Sequence, residues 1–125
     1  MINAAIVGMG RWGQTLVNSV AGGNDAIKFI AGTTRTLSKV EDYAAENGIR
    51  LHATYEDVLA DGDVDAVVLA SPHSFHFEQI MAAADAGKHV FCEKPFCLVA
   101  DQARTALDSL ASKGLKVGIG HNRRF

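Results

Sequence analysis

Short apolar segments alternate with longer segments in which apolar residues recur three or four positions apart, and this alternation runs along the whole chain. The short segments are typical of buried strands, and the spaced segments are typical of helices with one apolar face. We predict strands over 2–8, 26–32, 49–53, 64–70, 88–93 and 115–121. The segment 64–70 is apolar almost throughout, as a strand buried on both faces should be.

Helices are predicted between these strands, and the last of them ends at the Lys-Gly pair 113–114. The short helix 55–60 follows Thr54, which we expect to cap it. The residues that mark the other helices are Gly13, Leu16, Val17 and Val20; Leu37, Val40, Tyr43 and Ala44; Phe77, Ile80, Met81 and Ala84; and Val99, Ala103, Ala106, Leu107 and Leu110. Alternating strands and helices pair in parallel through right-handed crossovers. The pattern therefore predicts an α/β fold, a doubly wound, mostly parallel six-stranded sheet of the Rossmann type between two helix layers.

A glycine-rich loop, GMGRWG at 8–13, lies where the first predicted strand meets the first predicted helix. In this context Gly8 makes the tight turn, Gly10 lets the backbone approach a pyrophosphate, and Gly13 lets the helix pack closely on the strand. Phosphates bind at the helix N-terminus, where free N–H groups and the helix dipole favour an anion. The loop predicts a dinucleotide site, with Arg11 and Trp12 among the cofactor-binding residues; a glycine turn without a ligand is the alternative.

The end of the second predicted strand indicates which dinucleotide is bound. An acidic residue there binds the ribose 2′-hydroxyl of NAD, but this chain reads AGTTRT at 31–36 and has Thr34 at that position. Thr33 and Thr34 offer hydroxyl groups, and Arg35 offers a permanently charged planar donor for a 2′-phosphate. We expect NADP as the cofactor; the alternative is that Arg35 is a solvated surface charge and that the site accepts both NADP and NAD. The missing acid also argues against an S-adenosylmethionine-binding methyltransferase.

Composition narrows the possible partners. The chain has 125 residues, which suits one domain, and its formal net charge of −2 gives no basic surface for nucleic acid. We find no apolar run long enough for a membrane span and no signal peptide, and we expect a cytoplasmic protein. Cys92 and Cys97 have no second pair of metal ligands elsewhere, so no zinc or other metal is expected.

The segment GKHVFCEKP at 87–95, together with GMGRWG before it and NRRF after it, resembles the glucose–fructose oxidoreductase/inositol dehydrogenase (Gfo/Idh/MocA) family. The segment 63–78 is similar to that family's fourth strand and the proline-containing loop after it. The E-K-P motif is the most specific element, and the resemblance covers the whole chain.

The resemblance implies a set of site residues. Lys94 would assist proton transfer while hydride moves between a substrate carbon and nicotinamide, which a lysine can do when a desolvated site lowers its pKa. The alternative for Lys94 is an exposed lysine at the end of a strand. The cofactor neighbourhood would include Trp12, Ser71, Pro72, His76, Glu93, Lys94 and Arg124.

The family has a second, substrate-binding domain that this chain lacks, so residues 1–125 are predicted to be the dinucleotide-binding domain alone. The resemblance implies an oxidoreductase that acts on a sugar-like or cyclitol-like alcohol or ketone, with a homo-oligomer left open. The alternative is a stand-alone dinucleotide-binding module or subunit without catalysis of its own. Whether the chain is itself an enzyme therefore stays open, since catalysis needs the substrate oriented against the cofactor.

Overall fold

Strands and helices alternate along the chain in the computed structural model, which describes residues 2–20, 26–70, 76–93 and 100–120. Within these residues the strands are β1 (Ile2–Val7), β2 (Ile27–Thr33), β3 (Arg50–Leu51), β4 (Ala66–Leu69), β5 (His89–Glu93) and β6 (Val117–Gly120). The helices are α1 (Arg11–Val20), α2 (Glu41–Glu46), α3 (Tyr55–Ala60), α4 (His76–Asp85) and α5 (Ala100–Ser112). A 3-10 turn at Leu37–Lys39 precedes α2.

The described strands form one sheet in the order β3-β2-β1-β4-β5-β6, and every neighbouring pair is parallel. The order reverses at β1, whose last residue, Val7, lies between Thr33 of β2 and Leu69 of β4. Strands that leave β1 in both directions create a crevice outside their carboxyl ends. The predicted doubly wound fold is confirmed, and the sheet is parallel throughout.

Helices cover the two faces of the sheet and bury two separate apolar clusters. One cluster lies beneath α1 and α2 and is centred on Ile6, Val17 and Phe29. The other lies beneath α3, α4 and α5 and includes Ile80 and Leu110. Burying side chains of this size contributes roughly 1.5–3 kcal/mol each, so both layers stabilise the sheet.

The structure shortens or divides several predicted elements. The second helix is divided at Val40, whose backbone (φ −124°, ψ 8°) is not helical, so a 3-10 turn and a short helix replace one continuous helix. The third strand keeps only Arg50–Leu51 of the predicted 49–53. On α5, Leu107 is 39% exposed, because Ala106 and Leu110 form the buried row of that helix; Val99 lies outside the described residues.

The strand β4 is fully buried on one face only. Val67 and Leu69 have no solvent exposure, whereas Ala66 and Val68 are partly buried. Their side of β4–β6 lies next to an apolar groove of about 360 Å³ that also touches Phe91. Among the described helices that pack on this side, α1 contacts β1 and β2, and α2 contacts β3. None of the described helices is both long and apolar enough to cross a membrane.

Candidate functional site

The carboxyl ends of β1, β2 and β4 meet at one edge of the sheet and open a cleft there. The backbone N–H of Gly8 donates to the carbonyl of Thr33 at 2.9 Å, and the N–H of Ala70 donates to the carbonyl of Val7 at 2.8 Å. The chain diverges beyond these bonds and leaves a space of about 540 Å³. Described residues that line it are Val7, Gly8, Gly10, Thr33, Thr34, Arg35, Ala53, Thr54, Tyr55, Ala70 and Gln79. We call this space the switch-point cleft.

The glycine loop forms the central wall of the switch-point cleft. Gly8 has a φ of +97°, in a region that side chains disfavour, so the turn needs glycine there. A Cβ at Gly13 would lie 2.0 Å from the carbonyl oxygen of Gly8, so α1 approaches β1 as closely as a backbone can. A Cβ at Gly10 would meet nothing within 4 Å. The structure thus confirms the turn and the close packing, and it leaves open space beside Gly10 for a ligand.

The residues after β2 form the side of the cleft that should distinguish NAD from NADP. The side-chain oxygen of Thr34 accepts a hydrogen bond from the backbone N–H of Met9 at 3.1 Å, and Thr33 is 6% exposed. Arg35 is exposed at the rim. None of the described residues that line the cleft is acidic, so Arg35 supplies their only formal charge.

A further wall of the cleft comes from residues that the sequence analysis did not select. Thr54 accepts a hydrogen bond from the N–H of Asp57 at 3.1 Å and caps α3, as predicted, but it also lines the cleft together with Ala53. The hydroxyl of Tyr55 donates to the backbone carbonyl of Gln79 at 2.7 Å. Burial above all, and secondly nearby Cys92, raises the pKa of Tyr55, which therefore stays protonated at neutral pH. The sequence carried a signal for this wall, because residues 53–55 follow β3 and the carboxyl ends of parallel strands lie at one edge of the sheet.

The other predicted site residues lie apart from the lining or outside the described residues. Arg11 and Trp12 start α1, are exposed, and are absent from the described lining. His76 starts α4 and is fully buried, with its Nδ1 3.2 Å from the Sγ of Cys92. Glu93 ends β5. Ser71, Pro72, Lys94 and Arg124 lie outside the described residues.

A second group of charged side chains ties β3 to the segment between α3 and β4, and none of them lines the switch-point cleft. The carboxylate of Asp61 is 3.0 Å from Nε2 of His52, accepts the N–H of Asp63 at 3.0 Å, and pairs with Arg50. These contacts, the one with His52 first, lower the pKa of Asp61 to about 2. The ammonium of Lys88 donates to the backbone carbonyl of Asp61 at 3.1 Å. The group is a structural tie, and no cluster of three potential metal ligands occurs among the described residues.

Comparison with known proteins shows which family the chain resembles. Residues 2–121 match the GFO_IDH_MocA model, described as the oxidoreductase family with an NAD-binding Rossmann fold. Inositol 2-dehydrogenase of Rhizobium meliloti is 33% identical over 124 residues, which are 99% of this chain and 37% of that protein. D-xylose 1-dehydrogenase (NADP(+)) of Hypocrea jecorina is 42% identical over 66 residues, 53% of this chain and 17% of that protein.

A solved structure extends the likeness to three dimensions. Scyllo-inositol dehydrogenase from Lactobacillus casei, with bound NAD(H) and scyllo-inositol, superposes with a TM-score of 0.89 at 33% identity. The match covers 100% of this chain and 37% of that one. The chain therefore spans little more than a third of the length of these two inositol dehydrogenases.

Proposed function

The chain belongs to the Gfo/Idh/MocA oxidoreductase family through its NAD-binding Rossmann domain, and we propose that its cleft binds NADP(H) in preference to NAD(H). The observation that carries this proposal is the rim of the switch-point cleft, where Thr34 and Arg35 stand and no described lining residue is acidic. An acid at the position of Thr34 would accept the 2′-hydroxyl of NAD and repel a 2′-phosphate. Arg35 would instead attract the phosphate, and a charge-assisted hydrogen bond of roughly 1.5–3 kcal/mol corresponds to about ten- to hundredfold in affinity.

The described residues fit a dinucleotide. The space beside Gly10 allows a pyrophosphate to approach the backbone, and α1 begins at Arg11 within the same loop, so its N-terminus would favour an anion there. Thr34 holds Met9, so the loop keeps its shape before a ligand arrives. Arg35 at the rim would hold the phosphate end. A bound nicotinamide cofactor supplies the hydride chemistry, and the chain's own residues bind and orient it.

We propose further that the complete enzyme interconverts an alcohol and a ketone on a sugar-like or cyclitol-like substrate. The names of the relatives support this class, since they include inositol and xylose dehydrogenases. Lys94 is the proposed proton-transfer residue: it follows Glu93, which ends β5 at the same edge of the sheet as the cleft. Trp12, Ser71, Pro72, His76, Glu93 and Arg124 remain proposed members of the cofactor neighbourhood. A second domain that orients the substrate would complete the site.

The cysteine content bears on the cellular setting. Cys92 and Cys97 are the two cysteines of the sequence, too few for a disulfide scaffold, and we propose the cytoplasm. A homo-oligomer is compatible with the apolar groove beside β4–β6.

The test is a pair of calorimetric titrations of the 125-residue chain with NADPH and with NADH at one fixed salt concentration. We expect NADPH to bind about tenfold or more tightly than NADH. Equal affinities, or tighter NADH, would show that the assignment of Thr34 and Arg35 is wrong. If neither ligand binds, the cleft is not a dinucleotide site in this chain.

A further inference from the structure

The first turn of α4 is held from two directions by side-chain hydrogen bonds. From β5, the Sγ of Cys92 lies 3.2 Å from Nδ1 of His76, the first residue of the helix. From α3, the hydroxyl of Tyr55 donates to the backbone carbonyl of Gln79 at 2.7 Å. We call these two contacts the α4 clamp. They join α3, α4 and β5 at the edge of the sheet where the switch-point cleft opens.

The His76–Cys92 contact is buried at an apolar cluster. Both residues have no solvent exposure, and Cys92 belongs to the cluster that also contains Leu69 and Ile80. A buried polar pair contributes little net stability compared with apolar side chains of similar volume, because both groups lose their water. The hydrogen bond of such a pair forms only when the two elements that carry it, here α4 and β5, lie at one relative position. The pair therefore fixes geometry more than it adds stability.

The clamp is connected directly to the wall of the switch-point cleft. Tyr55 and Gln79 form one clamp contact and also line the cleft. Cys92 pairs with Leu69 in the register of β5 and β4, and Ala70, the residue after Leu69, lines the cleft as well. A change in the distance between His76 and Cys92 would therefore move the α4 wall relative to the strand ends.

We propose that His76, Cys92 and Tyr55 are positioning residues that set the width of the switch-point cleft for a dinucleotide. None of them reacts: the thiol and the imidazole are closed to solvent, and the phenol is engaged with a carbonyl. Their effect is exerted through the helix wall and the end of β5. This inference rests on the proposed function, because its readout is dinucleotide binding.

The experiment is calorimetric titration of the 125-residue chain with NADPH, with unfolding measured in parallel. Cys92→Ala and His76→Leu remove the first contact, and we expect each to weaken binding about three- to tenfold. Cys92→Ser keeps a hydrogen-bonding atom and should bind within about threefold of the wild type. The double variant Cys92→Ala/His76→Leu should weaken binding by less than the two single effects combined, because the contact that the two residues share is lost only once.

Leu110→Ala is the matched control, since Leu110 is fully buried in the same apolar cluster but does not line the cleft. It should lower stability and leave the affinity for NADPH unchanged. Should Cys92→Ala and His76→Leu fail to fold, Tyr55→Phe, which deletes only the hydroxyl of the second contact, is the deciding variant. We expect it to bind about threefold more weakly or worse.

Two results would overturn the inference and are distinguishable from failure of the proposed function. If the wild type binds NADPH and the folded removal variants bind equally well, the clamp does not shape the cleft, and the proposed function stands. If affinity falls in step with stability, with Leu110→Ala losing as much as Cys92→Ala, the pair is merely structural. A wild type that binds neither NADPH nor NADH would refute the proposed function itself and remove the basis of this inference.

Discussion

The side-chain oxygen of Thr34 accepts a hydrogen bond from the backbone N–H of Met9 at 3.1 Å. This bond joins the segment after β2 to the glycine loop after β1. Thr34 thus contacts the loop that would hold the pyrophosphate, and under the proposed function it also stands where ribose and ribose phosphate would be discriminated. Substitutions of Thr34 must be chosen so that these two roles are separated.

Thr34→Asp should reverse the cofactor preference. A carboxylate can still accept the N–H of Met9, so the loop keeps its tie, while the new negative charge repels a 2′-phosphate and accepts ribose hydroxyls. We expect the ratio of NADPH to NADH affinity to fall by about tenfold or more. Thr34→Ser is the control and should leave the ratio unchanged. Parallel calorimetric titrations measure both, and an unaltered ratio in Thr34→Asp would place the 2′ site elsewhere.

Arg35→Ala should weaken the binding of NADPH by about ten- to hundredfold and change the affinity for NADH by less than about threefold. The reason is that only NADPH carries the phosphate that the guanidinium would bind. The difference should shrink as salt is raised, because the site is exposed and its charges are screened. Lys28→Ala is the control: it removes an exposed cation from β2 and should leave the affinities for NADPH and NADH unchanged. Equal losses for the two cofactors would contradict the prediction.

Glycine substitutions in the loop should separate folding from binding. Gly13→Ala places a Cβ 2.0 Å from the carbonyl oxygen of Gly8, and we expect it to cost about 2 kcal/mol or more of unfolding free energy. Gly10→Ala meets nothing within 4 Å, so stability should stay within about 0.5 kcal/mol of the wild type while dinucleotide affinity falls. Urea unfolding and calorimetry measure the two effects. Undiminished binding by Gly10→Ala and by Gly10→Val would exclude a close approach of the pyrophosphate.

Acid should weaken the tie around Asp61. Its pKa is lowered to about 2 from an ordinary value of 3.8, so its contribution is complete above about pH 4 and is lost as the pH falls toward 2. After allowance for solvent screening, we expect the ionised carboxylate to contribute roughly 1 kcal/mol to the free energy of unfolding. Asp61→Asn should therefore be less stable than the wild type at pH 6, and this difference in unfolding free energy should narrow as the pH falls toward 2. Asp63→Asn, whose side chain is 73% exposed, should show almost no difference, and a gap independent of pH would contradict the assignment.

Lys94→Ala should separate chemistry from cofactor binding. In the 125-residue chain it should leave NADPH affinity within about threefold, because the proposed role of Lys94 is proton transfer. The chemistry is tested in a fusion protein that joins this chain to the substrate domain of an inositol dehydrogenase relative. In that fusion, Lys94→Ala should lower kcat by about 100-fold or more. Retained turnover of that fusion protein would remove Lys94 from the chemistry. The unmodified fusion must first show NADP+-dependent oxidation of a polyol.

Much of the fold follows from local pattern. Apolar runs such as 2–8 and 64–70 predicted strands because strands of a parallel sheet carry apolar side chains on both faces. The glycine loop at 8–13 predicted its own turn, and the structure confirms both the positive φ at Gly8 and the close packing at Gly13. The ends of elements were less predictable: the helix near Val40 is divided, because a neighbouring turn competes with the helical backbone there.

Part of the cleft could not be read from the chain in the same way. Thr34 and Arg35 were selected because a motif fixes their distance from the loop, whereas Tyr55 and Gln79 belong to no motif and reach the cleft through the packing of α3 and α4. His76 was placed near the cofactor by resemblance, yet its buried contact with Cys92, 16 positions away, exists only because α4 packs on β5.

The sequence by itself determined the alternation of strands and helices, the glycine turn and the residues at the end of β2, because these depend on side-chain periodicity and on backbone freedom within a few residues. Only the tertiary structure decided that Thr34 ties the loop to β2, that Tyr55 lines the cleft, and that Cys92 meets His76. Such contacts depend on the order of the strands and on how helices pack across them, and a short hydrogen bond between distant residues leaves no periodic signal in the chain.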